Sequence, residues 1–144
     1  MKRYVLVNAA YATGFMVVEQ VLDTDEAKPA NSEEGLWIDV TGDTTAQVGW
    51  KAKSYFNGSS DSWVFTELTA EERIQMVTGQ CEKRYDEAAR WLKFNPLQYK
   101  VLLGVATPAE QSAWIAYQEY YIAVSEVKSQ SGYPTTINWP VAPF

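Results

Sequence analysis

The sequence predicts an α+β fold: a small antiparallel β module at the N-terminus, then a helical region and an extended C-terminal tail. Three observations predict it. Up to residue 68, short runs rich in β-branched and aromatic residues alternate with Gly, Asn and Pro turns. From residue 69, apolar residues recur at spacings of three and four instead. Two Thr-x-x-Glu boxes, Thr69 to Glu72 and Thr107 to Glu110, mark helix starts, because each Thr hydroxyl and Glu carboxylate satisfies N–H groups of a first turn.

The elements follow in order. Tyr4 to Val7 is a first strand and Phe15 to Leu22 a second, with Thr13-Gly14 as the turn between them. The polar stretch Asp23 to Gly35, broken by Pro29, is a loop. Leu36 to Val40 resumes strand character and Thr41 to Thr44 turns. Ala46 to Phe56 reads as one strand with Val48, Trp50, Ala52 and Ser54 on one side. Asn57-Gly58 tolerates the positive φ of a hairpin turn, and Trp63 to Thr66 returns as its partner.

In the second half, Ile74, Val77, Cys81, Tyr85, Ala88 and Leu92 form one apolar helix face that ends at Asn95-Pro96. Gly79, inside this helix, weakens it by roughly 1 kcal/mol relative to Ala. Pro96 to Leu103 is a short second helix with Gly104 as its C′ residue. The last helix carries Ala113, Tyr117, Tyr120, Val124 and Val127 on one face, widened by Trp114, Tyr121 and Ile122, and ends near Lys128. The tail from Ser131 contains Pro134, Pro140 and Pro143, which forbid a helix interior. The expected divisions are therefore 1–68, 69–130 and 131–144.

Composition narrows the function classes. The chain has 144 residues, 47% of them apolar, and a domain of this size buries roughly 70% of its unfolded surface. It has no histidine, which removes the usual general base, the Ser-His and Cys-His nucleophile pairs and the His ligands of catalytic zinc sites. Net charge is −6, with ten acidic and five basic residues in 1–68, so phosphate backbones and anionic membrane surfaces are unfavourable partners. No apolar run approaches the length of a membrane span, and Met1 to Asn8 reads as a strand, not a signal peptide; a cytoplasmic location is expected. The lone Cys81 reads as a small buried hydrophobe in a reducing compartment.

Other motifs read as structural. Asp23-x-Asp25 starts like a calcium loop, but Ala27 occupies the next ligand position. Glu33-Glu34 and Glu71-Glu72 are adjacent carboxylates that point apart, and no phosphate-binding glycine loop exists. No cofactor and no catalytic residue is expected. Trp37, Trp50 and Trp63 suit a sheet with one buried face better than a sugar platform. Six Trp, nine Tyr and five Phe exceed what a core this small needs, and surplus aromatics suit protein interfaces.

Several segments resemble the tail-fibre assembly (chaperone) proteins of tailed bacteriophages and prophages. Asn95-Pro96-Leu97-Gln98 through Leu103-Gly104-Val105-Ala106-Thr107-Pro108-Ala109-Glu110 is similar to that family's "PLQ…LGIAT-x-E-E" stretch. Trp114 through Tyr117 to Val124 is similar to its "W-x-x-Y-R-x-x-L" segment, with Tyr121 where many relatives have a basic residue. Ile137-Asn138-Trp139-Pro140-Val141-Ala142-Pro143 is similar to its "I-x-W-P-x-x-P" terminus, and Gln47-Val48-Gly49-Trp50 to its "VGW". The C-terminal match covers roughly residues 69–144.

The resemblance implies a chaperone in the bacterial host cytoplasm, binding the C-terminal region of a homotrimeric tail-fibre protein and aiding its folding, trimerisation or attachment. It also implies that some such proteins stay on the virion. Expected contacts are Trp50, Tyr55 and Phe56 on the β module and Ile137, Trp139 and Pro140 in the tail. Homodimerisation is a further expectation. The competing readings are a structural cap or receptor-binding tip of the fibre, and a carbohydrate-binding module.

Overall fold

Five strands precede three helices in the computed structural model, which describes residues 1–8, 15–33 and 35–144. The architecture is α+β. Two compact units divide the chain at Met76 and Val77.

In the first unit, β1 (Lys2–Asn8), β2 (Met16–Thr24), β3 (Leu36–Asp39), β4 (Lys51–Phe56) and β5 (Asp61–Thr66) form one antiparallel sheet in the order β3-β1-β2-β4-β5. Strand alternation sends Val5, Val7, Val18, Ile38, Ala52 and Phe65 into a common core, closed by Val40 and Ala46 from the β3–β4 connection. Tyr4 is also buried, on the other face of β1, with its hydroxyl donating to the Glu26 carbonyl at 3.4 Å. The expected turn at Thr13-Gly14 lies outside the described residues.

Several strand boundaries differ from those expected: β1 starts at Lys2 and β5 at Asp61, earlier than predicted, and the changes in β2 and β4 have visible causes. β2 runs on to Thr24, because Arg3 on β1 grips Asp23 through two hydrogen bonds of 2.7 and 2.8 Å and keeps the ladder paired. The predicted strand Ala46–Phe56 starts only at Lys51. Gln47–Trp50 is a turn: Trp50 N–H donates to the Gln47 carbonyl, and Gly49 has a φ of 84°. Val48 is therefore 63% exposed instead of lying on the buried face. Asn57 and Gly58 do form the hairpin tip, with Gly58 at φ 94° and the Asn57 side chain accepting from the Ser59 and Ser60 amides.

Helix α1 (Ala70–Phe94) begins at the expected capping box: Glu72 N–H donates to Thr69 Oγ1, and Thr69 N–H to the Glu72 carboxylate, both at 3.1 Å. The second unit takes up α1 from Val77, followed by α2 (Leu97–Leu102), α3 (Pro108–Ser125) and a 3₁₀ turn at Val127–Ser129. Its core joins Ala88 of α1 to Tyr117, Tyr120 and Val124 of α3, with Cys81, Tyr85, Trp91, Leu92 and Trp114 packed around them. The apolar stripe read along α1 thus holds from Val77 to Leu92, whereas Ile74 is exposed. On α3, Ile122 is exposed, so the buried stripe is narrower than expected.

Candidate protein-binding surface

The sheet unit presents its outermost hairpin, β4–β5. Register pairs Tyr55 with Ser62 and Lys53 with Val64, placing Lys53, Tyr55 and Val64 on the face away from the core. Lys53 Nζ sits 5.2 Å from the Tyr55 ring centroid. Phe56, one residue on, belongs to the core side, yet it lies beyond the end of the core and is 72% exposed. Tyr55 and Phe56 therefore offer aromatic surface on opposite faces of one strand. Trp50, before β4 begins, is half-buried against the sheet core, as is Trp63.

A cleft of about 300 Å³ beside this hairpin is lined by Lys51, Lys53, Trp63 and Glu72, among others. Lys51 Nζ lies 2.6 Å from the Glu72 carboxylate, and that hydrogen bond, with those from Thr69, holds Glu72 below the ordinary carboxylate range. Glu72 is thus an ionised, paired carboxylate with no reserve as a general acid. A second cleft, of about 190 Å³, lies in the helical unit against Cys81 and Tyr85. Burial pushes the Cys81 thiol up, and its Sγ donates to the Val124 carbonyl at 3.9 Å, so it is a protonated thiol. Among the described residues no group of three or more His, Cys, Asp or Glu side chains is placed to hold a metal. Asp23 and Asp25 are paired instead with Arg3 and the N-terminal ammonium.

The tail lies against the helical unit. Gln130 clasps the Asn138 backbone, donating from Nε2 to its carbonyl and accepting its N–H at Oε1, both at 2.8 Å. The Arg84 guanidinium lies 3.8 Å from the Trp139 ring centroid. Phe144 stacks on Trp91 at 5.1 Å and meets Tyr120 edge-on. Ile137, Trp139 and Pro140 are each half-buried by this docking, whereas Val141 stays exposed.

Further apolar exposure falls on residues not named as contacts from the sequence. Phe94 at the end of α1 is 75% exposed, Leu102 82%, Leu103 75% and Val105 67%. The local cause is α2, which buries Leu97 and then ends in a left-handed turn at Gly104, φ 71°. Val105 and Ala106 both donate N–H to the Lys100 carbonyl. A six-residue helix can bury only one side, so the unbroken apolar run Val101 to Leu103, continued by Val105, had to leave members outside. That run was the available signal.

A family model described as Caudovirales tail fibre assembly protein, lambda gpK, matches residues 18–144. The chain belongs to this family. No curated protein and no solved structure matches it. The family match reaches from β2 to the last residue and so takes in both the family-like Gln47–Trp50 segment and the stretch from residue 69. As a tail fibre assembly protein, the chain takes part in building a bacteriophage tail. In this tail fibre assembly protein, the family-like stretch Asn95 to Glu110 is the segment that forms α2, the Gly104 turn and the capping box of α3, and so displays Leu102, Leu103 and Val105. The family-like ending Ile137 to Pro143 is the strap held by Gln130 and Arg84.

Proposed function

We propose that this assembly protein is a chaperone that binds the C-terminal region of a tail-fibre protein noncovalently, assisting its folding, trimerisation or attachment in the bacterial cytoplasm. The observation that carries this reading is the exposure of Leu102, Leu103 and Val105 around the Gly104 turn, with Phe94 exposed at the end of α1. Apolar side chains gathered on a surface mark a docking site for another protein. An incompletely assembled β-rich fibre end exposes apolar strand edges that aggregate unless covered. On the sheet unit the contact surface centres on Tyr55 and Phe56 at the end of β4, with Trp50 at its start; on the helical unit it takes in Ile137, Trp139 and Pro140 of the strap.

Co-expression with the tail-fibre protein, followed by pull-down and sizing, tests this. The fibre is expected to be soluble and trimeric only with the chain present. Leu102→Asp with Leu103→Asp should abolish rescue while leaving the circular dichroism spectrum and melting temperature nearly unchanged, because both residues are already solvated. A fibre that is soluble and trimeric alone, with the chain at fixed stoichiometry in finished particles, would replace the chaperone by a retained cap.

A further inference from the structure

The two edges of the sheet are finished differently. At the β3 edge, the ladder with β1 turns the backbone of Ile38 inward and that of Trp37 outward, and both outward groups of Trp37 are occupied. Trp37 N–H donates to Asn31 Oδ1 at 2.8 Å, and Lys28 Nζ donates to the Trp37 carbonyl at 3.2 Å. At Trp37 this edge is covered by side chains of the preceding loop.

The β5 edge is open. The hydrogen bond from Asn57 N–H to the Ser60 carbonyl sets the alternation of the hairpin, and the bond from Val18 N–H to the Trp50 carbonyl on the other side of β4 sets the same one. Ser62, Val64 and Thr66 therefore direct their N–H and C=O groups at β4, and Asp61, Trp63 and Phe65 direct theirs away from the sheet. Among the described residues no hydrogen bond reaches these outward groups, and β5 ends the strand order.

We infer that β5 is a strand-addition site for an extended segment of the tail-fibre protein. This deepens the proposed function and rests on it. The occupant follows from the chemistry of the edge. Outward donor–acceptor pairs repeating every second residue over three positions match the backbone spacing of another strand, whereas a helix interior has its own backbone groups already bonded. Trp63, half-buried on the core side, and Val64, exposed on the opposite side, then flank the incoming segment. Alternate apolar residues in that segment would extend the sheet core past Trp63, and its other residues would lie beside Ser62, Val64 and Thr66.

Amide hydrogen exchange on the full-length chain, alone and bound to the co-expressed fibre protein, reads the pairing directly. The Asp61, Trp63 and Phe65 amides should exchange quickly in the free chain and at least about tenfold more slowly in the complex. The Ser62, Val64 and Thr66 amides should be protected in both. Asp61→Pro removes one outward donor at an exposed position and should weaken the complex about fivefold, while Asp61→Ala, which keeps the N–H, should not. A complex that forms with the outward amides unchanged overturns the strand-addition site and leaves the chaperone reading standing. Protection that grows with concentration of the chain alone also overturns it, assigning the edge to a second copy. Absence of any complex overturns both readings.

Discussion

Glu72 and Glu110 have the same set of partners. Each accepts the N–H of its own N-cap threonine, Thr69 or Thr107, and each is also bound by a lysine from an earlier element, Lys51 on β4 or Lys100 on α2. The lysine hydrogen bond is the main reason both carboxyls sit below their ordinary range of about 4.5. A depressed carboxyl stabilises the fold above its unfolded pKa, and that contribution is lost as pH falls through the folded value. Glu72→Gln can still cap the helix but forfeits the Lys51 pair, so it should lower stability by about 1 kcal/mol at neutral pH. The difference between variant and wild type should persist down to the ordinary carboxylate range and shrink below it; denaturant titrations at several pH values check this. A difference unchanged in strong acid would mean the ion pair contributes nothing. Both threonine boxes were legible in the sequence because capping is local. The two lysines were not, since they are 21 and 10 positions away and only the fold brings them in.

Elements with local signals matched the sequence best. The Asn57-Gly58 tip, the starts of α1 and α3, and the C′ glycine of α2 all fall where turn and cap chemistry demands. The long strand expected from Ala46 failed because alternation of apolar residues is equally compatible with the Gln47–Trp50 turn, which Gly49 makes possible. Exposure was the hardest property to read. Tyr55 and Phe56 were expected contacts and stand exposed, whereas Leu102 and Leu103 passed as ordinary helix residues, because exposure depends on which neighbours arrive. The turn that presents them should be sensitive to its glycine. Gly104→Ala forces a Cβ into a left-handed backbone with open space around it, so only backbone strain opposes it. It should cost about 1 kcal/mol in thermal or chemical denaturation and shift the exchange of the Val105 and Ala106 amides, whose bonds to Lys100 form the turn. An unchanged melt would show that the turn carries no strain.

The whole molecule has two separate cores, one of aliphatic residues around Val5 and Val18 and one dominated by the aromatics of α1 and α3. That division explains its many tryptophans and tyrosines better than an interface alone: Tyr85, Trp91, Trp114, Tyr117 and Tyr120 serve the helical core. Because the exposed surface that remains is largely apolar at the proposed contacts, binding of the fibre should show a negative heat-capacity change and depend only weakly on salt. Calorimetry at several temperatures and two ionic strengths measures both; a strongly salt-dependent affinity would point to charge, in keeping with the net −6, as the main attraction. The covering of Trp37 has a consequence of its own. A unit with two equally reactive ends grows into an open-ended polymer, whereas unequal ends favour addition at one of them. Lys28 and Asn31 occupy the backbone of Trp37, so a strand arriving at the β3 edge must displace bonds already made, and β5 is the more reactive end. A molecule that must sit among sticky, incomplete β structure is then less prone to become a link in a growing stack of strands.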